Sequence, residues 1–248
     1  MVNKFYIEDC YERLTNKDFK YNYIITSPPD FSEIGLVLND SYYTWIKPFI
    51  ENFNPISGFV TICITDRKAN GGIIPKHKAV IDAFTSLDWN VYSYKLWIKT
   101  TKIDLYKLPY QHLITFTQNK RKVPPTKRIL EDIFCIKPSG FKNSMPVEIC
   151  SRHINCFTEL GEVVYDPFLG SGTALLAAEQ TKRRGIGIEL DPKYVDVAVR
   201  RLNLHVGDAA WPPLASKWAK WSMRTMVAKV RNATQVKSQR SMAMEHTR

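Results

Sequence analysis

Apolar and polar positions along the chain follow two periods, one strand-like and one helix-like, and the two alternate from start to end. KFYIEDCYERL, beginning at Lys4, reads as a short strand, a turn at Glu8-Asp9-Cys10 and a helix start. YNYIITSPPD carries the next strand into a stiff double-proline turn. DSYYTWIKPFIENF follows as an amphipathic helix, with Asp40 or Ser41 as its N-cap and Pro48 as a defect. SGFVTICITD, residues 57–66, is a near-continuous apolar run, the pattern of a strand covered on both faces. IPKHKAVIDAFTSLDW predicts a helix with Pro75 in its first turn, and VYSYKLWIKT and YQHLITFTQ predict an antiparallel pair at a sheet edge. After Met145 a helix (MPVEICSRHINCF), a strand entering a glycine loop (GEVVYDPFLGSGT), a helix (ALLAAEQTKR), a strand (RGIGIEL) and a helix (DPKYVDVAVRRLN) complete the series. Strands alternating with helices predict an α/β domain built on a mixed, mainly parallel sheet with helices on both faces. From His205, HVGDAAWPPLAS reads as a linker, so residues 1–204 are expected to form the domain and 205–248 a basic extension with a helix.

Composition agrees with a folded domain: 44% of the 248 residues are hydrophobic and 12% aromatic. No stretch is long and apolar enough to predict a membrane-spanning helix, and the polar start, MVNKFYIEDC, does not read as a secretion signal. Five cysteines (Cys10, Cys63, Cys135, Cys150, Cys156) without CxxC spacing favour reduced thiols in a cytoplasmic setting over disulfides or a zinc site, and no metal site is expected. The net charge of +11 points to a polyanionic partner, with +6 of it in the last 44 residues. Two segments concentrate basic residues. NKRKVPPTKR, residues 119–128, predicts an exposed loop offering Lys120, Arg121, Lys122, Lys127 and Arg128. In LASKWAKWSMRTMVAKVR, Lys217, Lys220, Arg224 and Arg231 recur at helical spacing on one face, a surface suited to phosphates or to plain solvation.

The chemistry concentrates in two places. VVYDPFLGSGTALLAA sets a strand, Asp166, a small-residue loop and a helix in succession, so Gly170, Ser171 and Gly172 let backbone approach a ligand at a helix N-terminus. The loop lacks the lysine of a phosphate-binding loop, which argues against nucleotide hydrolysis. Glu189, 23 residues after Asp166 and at the end of the next strand, is placed to accept both hydroxyls of a ribose. Together these predict a nucleoside-containing cofactor.

DPFLGSGT together with TSPPD resembles the paired signatures of S-adenosylmethionine-dependent DNA amino-methyltransferases, which methylate an exocyclic amine of cytosine or adenine. The order, turn first and glycine loop second, resembles the circularly permuted β class, and the likeness runs from Lys4 to Asn203 through IEDCYERL, NSMPVEICSRHI and RRGIGIELDPKYVDVAVRRL. The resemblance implies a Rossmann-like methyltransferase fold and S-adenosyl-L-methionine as cofactor. It implies that Asp9 reaches the cofactor adenine and that Asp166, Pro167, Phe168, Gly170, Ser171, Gly172, Thr173 and Glu189 enclose the rest. It assigns Ser27, Pro28, Pro29, Asp30 and Phe31 to the catalytic turn, with the Ser27 hydroxyl and Pro28 carbonyl aiming the lone pair of a flipped base's amine.

Asp30 stands where the family usually has an aromatic base clamp. Three readings are open: Phe31 supplies the stacking face, Asp30 itself bonds the amine or takes its proton, or the pocket differs enough to change or abolish the reaction. A serine opening the turn favours cytosine N4, with adenine N6 and a catalytically inactive nucleic-acid-binding homologue as alternatives. Cytosine C5 chemistry is excluded, because none of the cysteines follows a proline as that family's nucleophile does. The implied partner is double-stranded DNA rather than membrane. A homodimer and a restriction endonuclease counterpart are left open, and a cytoplasmic protein of bacterial, archaeal or viral origin is expected.

Overall fold

Apolar runs at 23–26, 59–64 and 163–166 become strands buried throughout, as continuous hydrophobic stretches in a covered sheet require. A computed structural model describes residues 3–34, 42–69, 71–100, 102, 104, 107–118, 126, 130–138 and 144–206. In chain order the elements are β1 (Lys4–Ile7), α1 (Cys10–Leu14), β2 (Tyr23–Thr26), α2 (Tyr42–Ile50), β3 (Phe59–Ile64), β4 (Arg67–Ala69), β5 (Gly72–Ile74) and α3 (Lys76–Thr85). There follow β6 (Asn90–Ile98), β7 (Tyr110–Thr117), β8 (Ile133–Phe134), α4 (Val147–Phe157), β9 (Val163–Asp166), α5 (Thr173–Gln180), β10 (Arg184–Glu189) and α6 (Pro192–Val206).

Eight strands form one sheet in the order β1-β10-β9-β2-β3-β7-β6-β8. The pairs from β1 to β3 are all parallel, β7 runs antiparallel to both β3 and β6, and β8 pairs parallel with β6. The chain leaves β9 for β10 on one side and leaves β2 for β3 on the other, so a topological switch point lies between β9 and β2. Open α/β sheets bind ligands outside the carboxyl ends of the strands at such a point.

Strand alternation separates the two faces. Leu113 of β7 joins Tyr23, Ile25 and Val164 in a core completed by Ile154 of α4 and Ala174 of α5. Phe116, three residues on and therefore on the opposite face, stacks on Phe84 of α3 with centroids 3.8 Å apart. Helices thus cover both faces, and the Rossmann-like α/β fold is as the sequence predicts.

Several details differ from the sequence reading. The β6–β7 pair is antiparallel, but the two-residue β8 lies outside it and forms the edge. A strand of this length carries too little pattern to be read. The hairpin β4–β5 arises in a polar stretch with no alternation to announce it. Helix α6 continues through His205 to Val206 rather than stopping near Asn203. Asp40 and Ser41, the basic residues between 119 and 128, and all of 207–248, including Lys217, Lys220 and Arg224, lie outside the described residues.

The chain divides into two units, Met1–Pro29 with Ser41–Pro212, and Asp30–Asp40 with Pro213–Arg248. The sheet and helices above belong to the first. Of the second, Asp30–Ile34 are described and form a turn.

A buried polar chain crosses the core beneath α4. The Tyr23 hydroxyl donates to Thr61 Oγ1 at 2.6 Å, which shares a hydrogen with Thr115 Oγ1 at 2.8 Å. Removing the central member strands two hydroxyls in an apolar core. Thr61→Val is expected to lower unfolding stability by about 1–3 kcal/mol despite its matched volume, measured by urea denaturation. A variant as stable as the wild type would show that the hydroxyl chain contributes nothing.

Candidate active site at the carboxyl edge of the sheet

Because β1, β10, β9, β2 and β3 are mutually parallel, their carboxyl ends share one edge of the sheet. The residues singled out in the sequence collect there. Asp9 lies two residues beyond β1, Glu189 and Asp166 end β10 and β9, and Ser27 follows β2. The register pairs Ile7 with Glu189 and Gly187 with Asp166, which sets the acidic positions on adjacent strands.

Asp166 is buried and anchors the centre. Its Oδ1 accepts from the Thr26 hydroxyl at 2.6 Å and from the Phe168 N–H at 3.1 Å. Burial pushes its carboxyl up to about 7, outweighing those two hydrogen bonds, and the charge of Glu189 adds to the rise. Thr26 is the last residue of β2 and directly precedes Ser27, so this one contact ties the proline turn to the glycine loop.

The loop is shaped from three sides. Leu169 N–H donates to the Ile188 carbonyl at 2.8 Å, holding the loop against β10. Gly170 (φ 51°) and Gly172 (φ 81°) take the left-handed conformation that favours glycine, and Gly172 caps the N-terminus of α5. A Cβ on Gly172 would sit 2.7 Å from Ala198 Cβ of α6, so that helix closes on bare backbone. From outside, buried Arg201 sends Nη1 to the Ser171 carbonyl (2.7 Å), Ser171 Oγ (2.8 Å) and Thr173 Oγ1 (3.0 Å), while Ser144 bonds the Ser171 hydroxyl. Burial lowers the guanidinium's affinity for its proton.

Glu189 gathers three backbone donors: Gly170 N–H at 2.7 Å on Oε2, and Leu190 and Asp191 N–H, both at 2.9 Å, on Oε1. Burial raises its carboxyl against these bonds. A carboxylate accepts about four hydrogen bonds, so one further donor fits without breaking any. Asp9 caps α1 by accepting from the Tyr11 N–H at 2.9 Å on Oδ1. Pro167 is buried, and Phe168 packs on α2 through Trp45 and Phe49, with centroids 5.8 and 5.4 Å away.

In the proline turn Ser27 and Pro29 are half-buried and Pro28 is buried. The Tyr42 hydroxyl, at the start of α2, donates to the Pro29 carbonyl at 2.9 Å and fixes the peptide beyond the prolines. Asp30 organises its own turn. Its carboxylate accepts from the Phe31 N–H at 2.6 Å, its N–H donates to Glu33 Oε2 at 2.7 Å, and its carbonyl accepts from the Glu33 N–H at 2.9 Å. The Phe31 ring is buried.

Sequence reasoning missed Thr26, Tyr42, Ser144 and Arg201. Thr26 and Ser144 stood inside stretches singled out as TSPPD and NSMPVEI, yet nothing marked them as partners of the loop. Arg201 lies 28 residues from Thr173 with no spacing signal, and the fold alone brings it in.

Residues 21–200 match the family described as a DNA methylase, N6_N4_Mtase, and the chain belongs to that family. Among curated relatives, the Type II methyltransferase M.Cfr9I of Citrobacter freundii is 46% identical over 59 residues, covering 24% of this chain. The match spans 20% of that relative's length. Among solved structures, TTHA0409 of Thermus thermophilus in complex with S-adenosyl-L-methionine superposes with a TM-score of 0.67 at 22% identity, covering 84% of this chain and 97% of that one. PvuII DNA methyltransferase, cytosine-N4-specific, gives a TM-score of 0.69 at 17% identity over 81% of this chain and 86% of its own. These likenesses establish the methyltransferase fold.

The raised carboxyl of Asp166 makes a pH prediction. Unfolded, it ionises near its ordinary 3.8, whereas folded it holds its proton up to about 7. Between those values the folded protein binds more protons, so stability falls as pH rises through the window. Relative to Asp166→Asn, the wild type should lose stability steadily from about pH 4 to about pH 7 and then level off. Urea unfolding of both proteins across that range reads the difference, and a constant gap would refute the burial argument.

Proposed function

We propose that the protein transfers a methyl group from S-adenosyl-L-methionine to the exocyclic amine of a base flipped out of double-stranded DNA, with cytosine N4 favoured over adenine N6. The observation that carries this reading is the Thr26–Asp166 hydrogen bond at the switch point, which holds a Ser-Pro-Pro turn beside a glycine loop. The residues fit the cofactor. Gly170 to Gly172 bring bare backbone to a helix N-terminus, Glu189 keeps one acceptor position for a ribose hydroxyl, and Asp9 stands on the neighbouring strand end. When bound, S-adenosyl-L-methionine supplies a sulfonium methyl that is already electrophilic, so the chain's own task is positioning and removal of a proton.

An exocyclic amine is a poor nucleophile because its lone pair is delocalised into the ring. In this reading the Ser27 hydroxyl and the Pro28 carbonyl accept from the amine, favour a tetrahedral nitrogen and direct its lone pair. Two consecutive prolines and the Tyr42–Pro29 bond keep that carbonyl fixed at little further entropic cost. As the new C–N bond formed and the sulfonium S–CH3 bond broke, the nitrogen would lose one proton to solvent water, because the hydroxyl and the carbonyl hold the amine by hydrogen bonds but are too weakly basic to keep its proton. Phe31 is assigned the aromatic face for the base, for which its buried ring would have to turn outward, and the Asp30 carboxylate, held by the Phe31 N–H, keeps the turn in shape. The basic loop at 119–128 and the extension at 205–248 supply phosphate contacts.

Likeness to a Type II methyltransferase and a cytosine-N4-specific fold relative supports the substrate class and a restriction–modification setting, and the reading leaves room for a separate endonuclease counterpart. The reading assigns the protein to the cytoplasm and accommodates a monomer or a homodimer. No helix among the described residues is long and apolar enough to cross a membrane.

Incubation with methyl-labelled cofactor and genomic DNA, followed by nucleoside analysis, is expected to yield N4-methylcytosine. N6-methyladenine would move the assignment to the second base, and bound cofactor without methylated DNA would overturn the enzyme reading. In the same assay Phe31→Ala should lose base binding and turnover, whereas Asp30→Ala should retain most of both. The reverse pattern would make Asp30, not Phe31, the group that engages the base.

A further inference from the structure

A second cluster of chemistry-bearing side chains lies at the same sheet edge, beyond the elements just described. Asp66 follows β3 by two residues. His112 of β7 pairs in register with Ile64, the last residue of β3, and His77 sits in the first turn of α3. Asp66 Oδ2 is 2.6 Å from His77 Nδ1 and 3.2 Å from His112 Nε2, and the two imidazoles stack with centroids 4.2 Å apart. The three facing atoms all lie within 4.8 Å of one another. We propose that Asp66, His77 and His112 form a site for one divalent transition-metal ion of the zinc or cobalt type. This departs from the sequence expectation of no metal, which rested on cysteine spacing; these ligands come from three separated segments.

Four observations support the assignment. Two imidazoles and one carboxylate are the ligand types such ions take, at bond lengths of about 2.0–2.2 Å for zinc. Tetrahedral ligands at that distance stand about 3.3 Å apart, so side-chain rotations that unstack the two imidazoles bring the three atoms to coordination spacing. Outer-shell partners are also present for His112 and Asp66. The Tyr94 hydroxyl is 2.6 Å from His112 Nδ1, and the His77 N–H donates to Asp66 Oδ1 at 3.0 Å. A ligating histidine needs a partner on its second nitrogen, and a monodentate carboxylate needs one on its second oxygen. Finally, Asp66 and His112 are buried, with side chains 3% and 6% exposed, whereas His77 is 26% exposed and gives the ion a route in.

Without metal, both imidazoles donate N–H to Asp66, and Tyr94 donates to His112 Nδ1. Metal binding requires each neutral imidazole to carry its proton on the other nitrogen. His112 then donates from Nδ1 to the Tyr94 oxygen, and His77 carries its proton on Nε2. No redox change occurs. Water completes the coordination. The ligands Asp66 and His77 bracket the hairpin β4–β5, so the ion would staple the base of that hairpin to β7.

The test uses the full untagged chain, stripped with chelator and titrated with cobalt(II), with stoichiometry from equilibrium dialysis and coordination from the visible d–d absorption. One equivalent is expected, with at least tenfold weaker binding in His77→Ala and in Asp66→Asn. Zinc should raise the melting temperature of the wild type and leave that of His77→Ala unchanged. His77 is partly exposed, and circular dichroism establishes that its variant is folded. Absence of stoichiometric cobalt binding, or equal binding by wild type and folded His77→Ala, would overturn the proposal and leave a hydrogen-bonded clasp. Neither readout depends on methyl transfer.

Discussion

The hydrogen bond from Thr26 to Asp166 is the contact on which the site depends. It joins two residues 140 positions apart, one ending the strand before the proline turn and one opening the glycine loop. A buried carboxylate is costly to ionise, and here burial outweighs two hydrogen bonds and the carboxyl rises to about 7. The bond survives either protonation state, because the hydroxyl donates and a carbonyl-type oxygen accepts in both. Its strength therefore varies with protonation, being greatest when Asp166 is charged, while the geometry it imposes stays the same. Without it the two loops would be joined only through the pairing of β2 with β9.

Around that contact several of the loop's backbone groups are held by the protein itself. Glu189 collects the N–H groups that would otherwise be orphaned where the chain enters α5 and α6, and Arg201 takes the Ser171 carbonyl. Gly172 is confined by α6 as well as by its own left-handed backbone. The result is a loop organised by the protein itself, which limits the ordering that ligand binding must supply.

How much of this was legible in the sequence follows from which signals are local. Continuous apolar runs identified β3 and β9, and the proline and glycine turns identified where strands end, because both are written within ten residues. Asp166 and Glu189 were readable for the same reason, each standing at a strand end, whereas Asp9 was singled out only through the family resemblance. Thr26 and Arg201 were not, because a threonine inside a buried strand and an arginine in a helix look like structure until the topology brings them to the loop. The Asp66–His77–His112 cluster escaped for a related reason. Its members are spread over 46 residues and meet only because β7 runs antiparallel to β3.

The edge itself shows why carboxylates recur there. Asp9, Glu189, Asp166 and Asp66 each stand at or just past the end of a parallel strand. Chains leaving parallel strands turn into helix N-termini, whose unpaired N–H groups favour negative charge. Asp9 caps α1, Glu189 accepts from the residues leading into α6, and Asp66 accepts from the first turn of α3. An edge so lined repels phosphates and tolerates a neutral base or a cationic ligand. On the proposed reading, that divides the work by charge: base and cofactor meet at the acidic edge, while the chain's net +11, of which +6 falls in the last 44 residues, carries the attraction for the DNA backbone. The acidic edge then contributes selectivity rather than affinity, because it admits an uncharged base and excludes the charged phosphate.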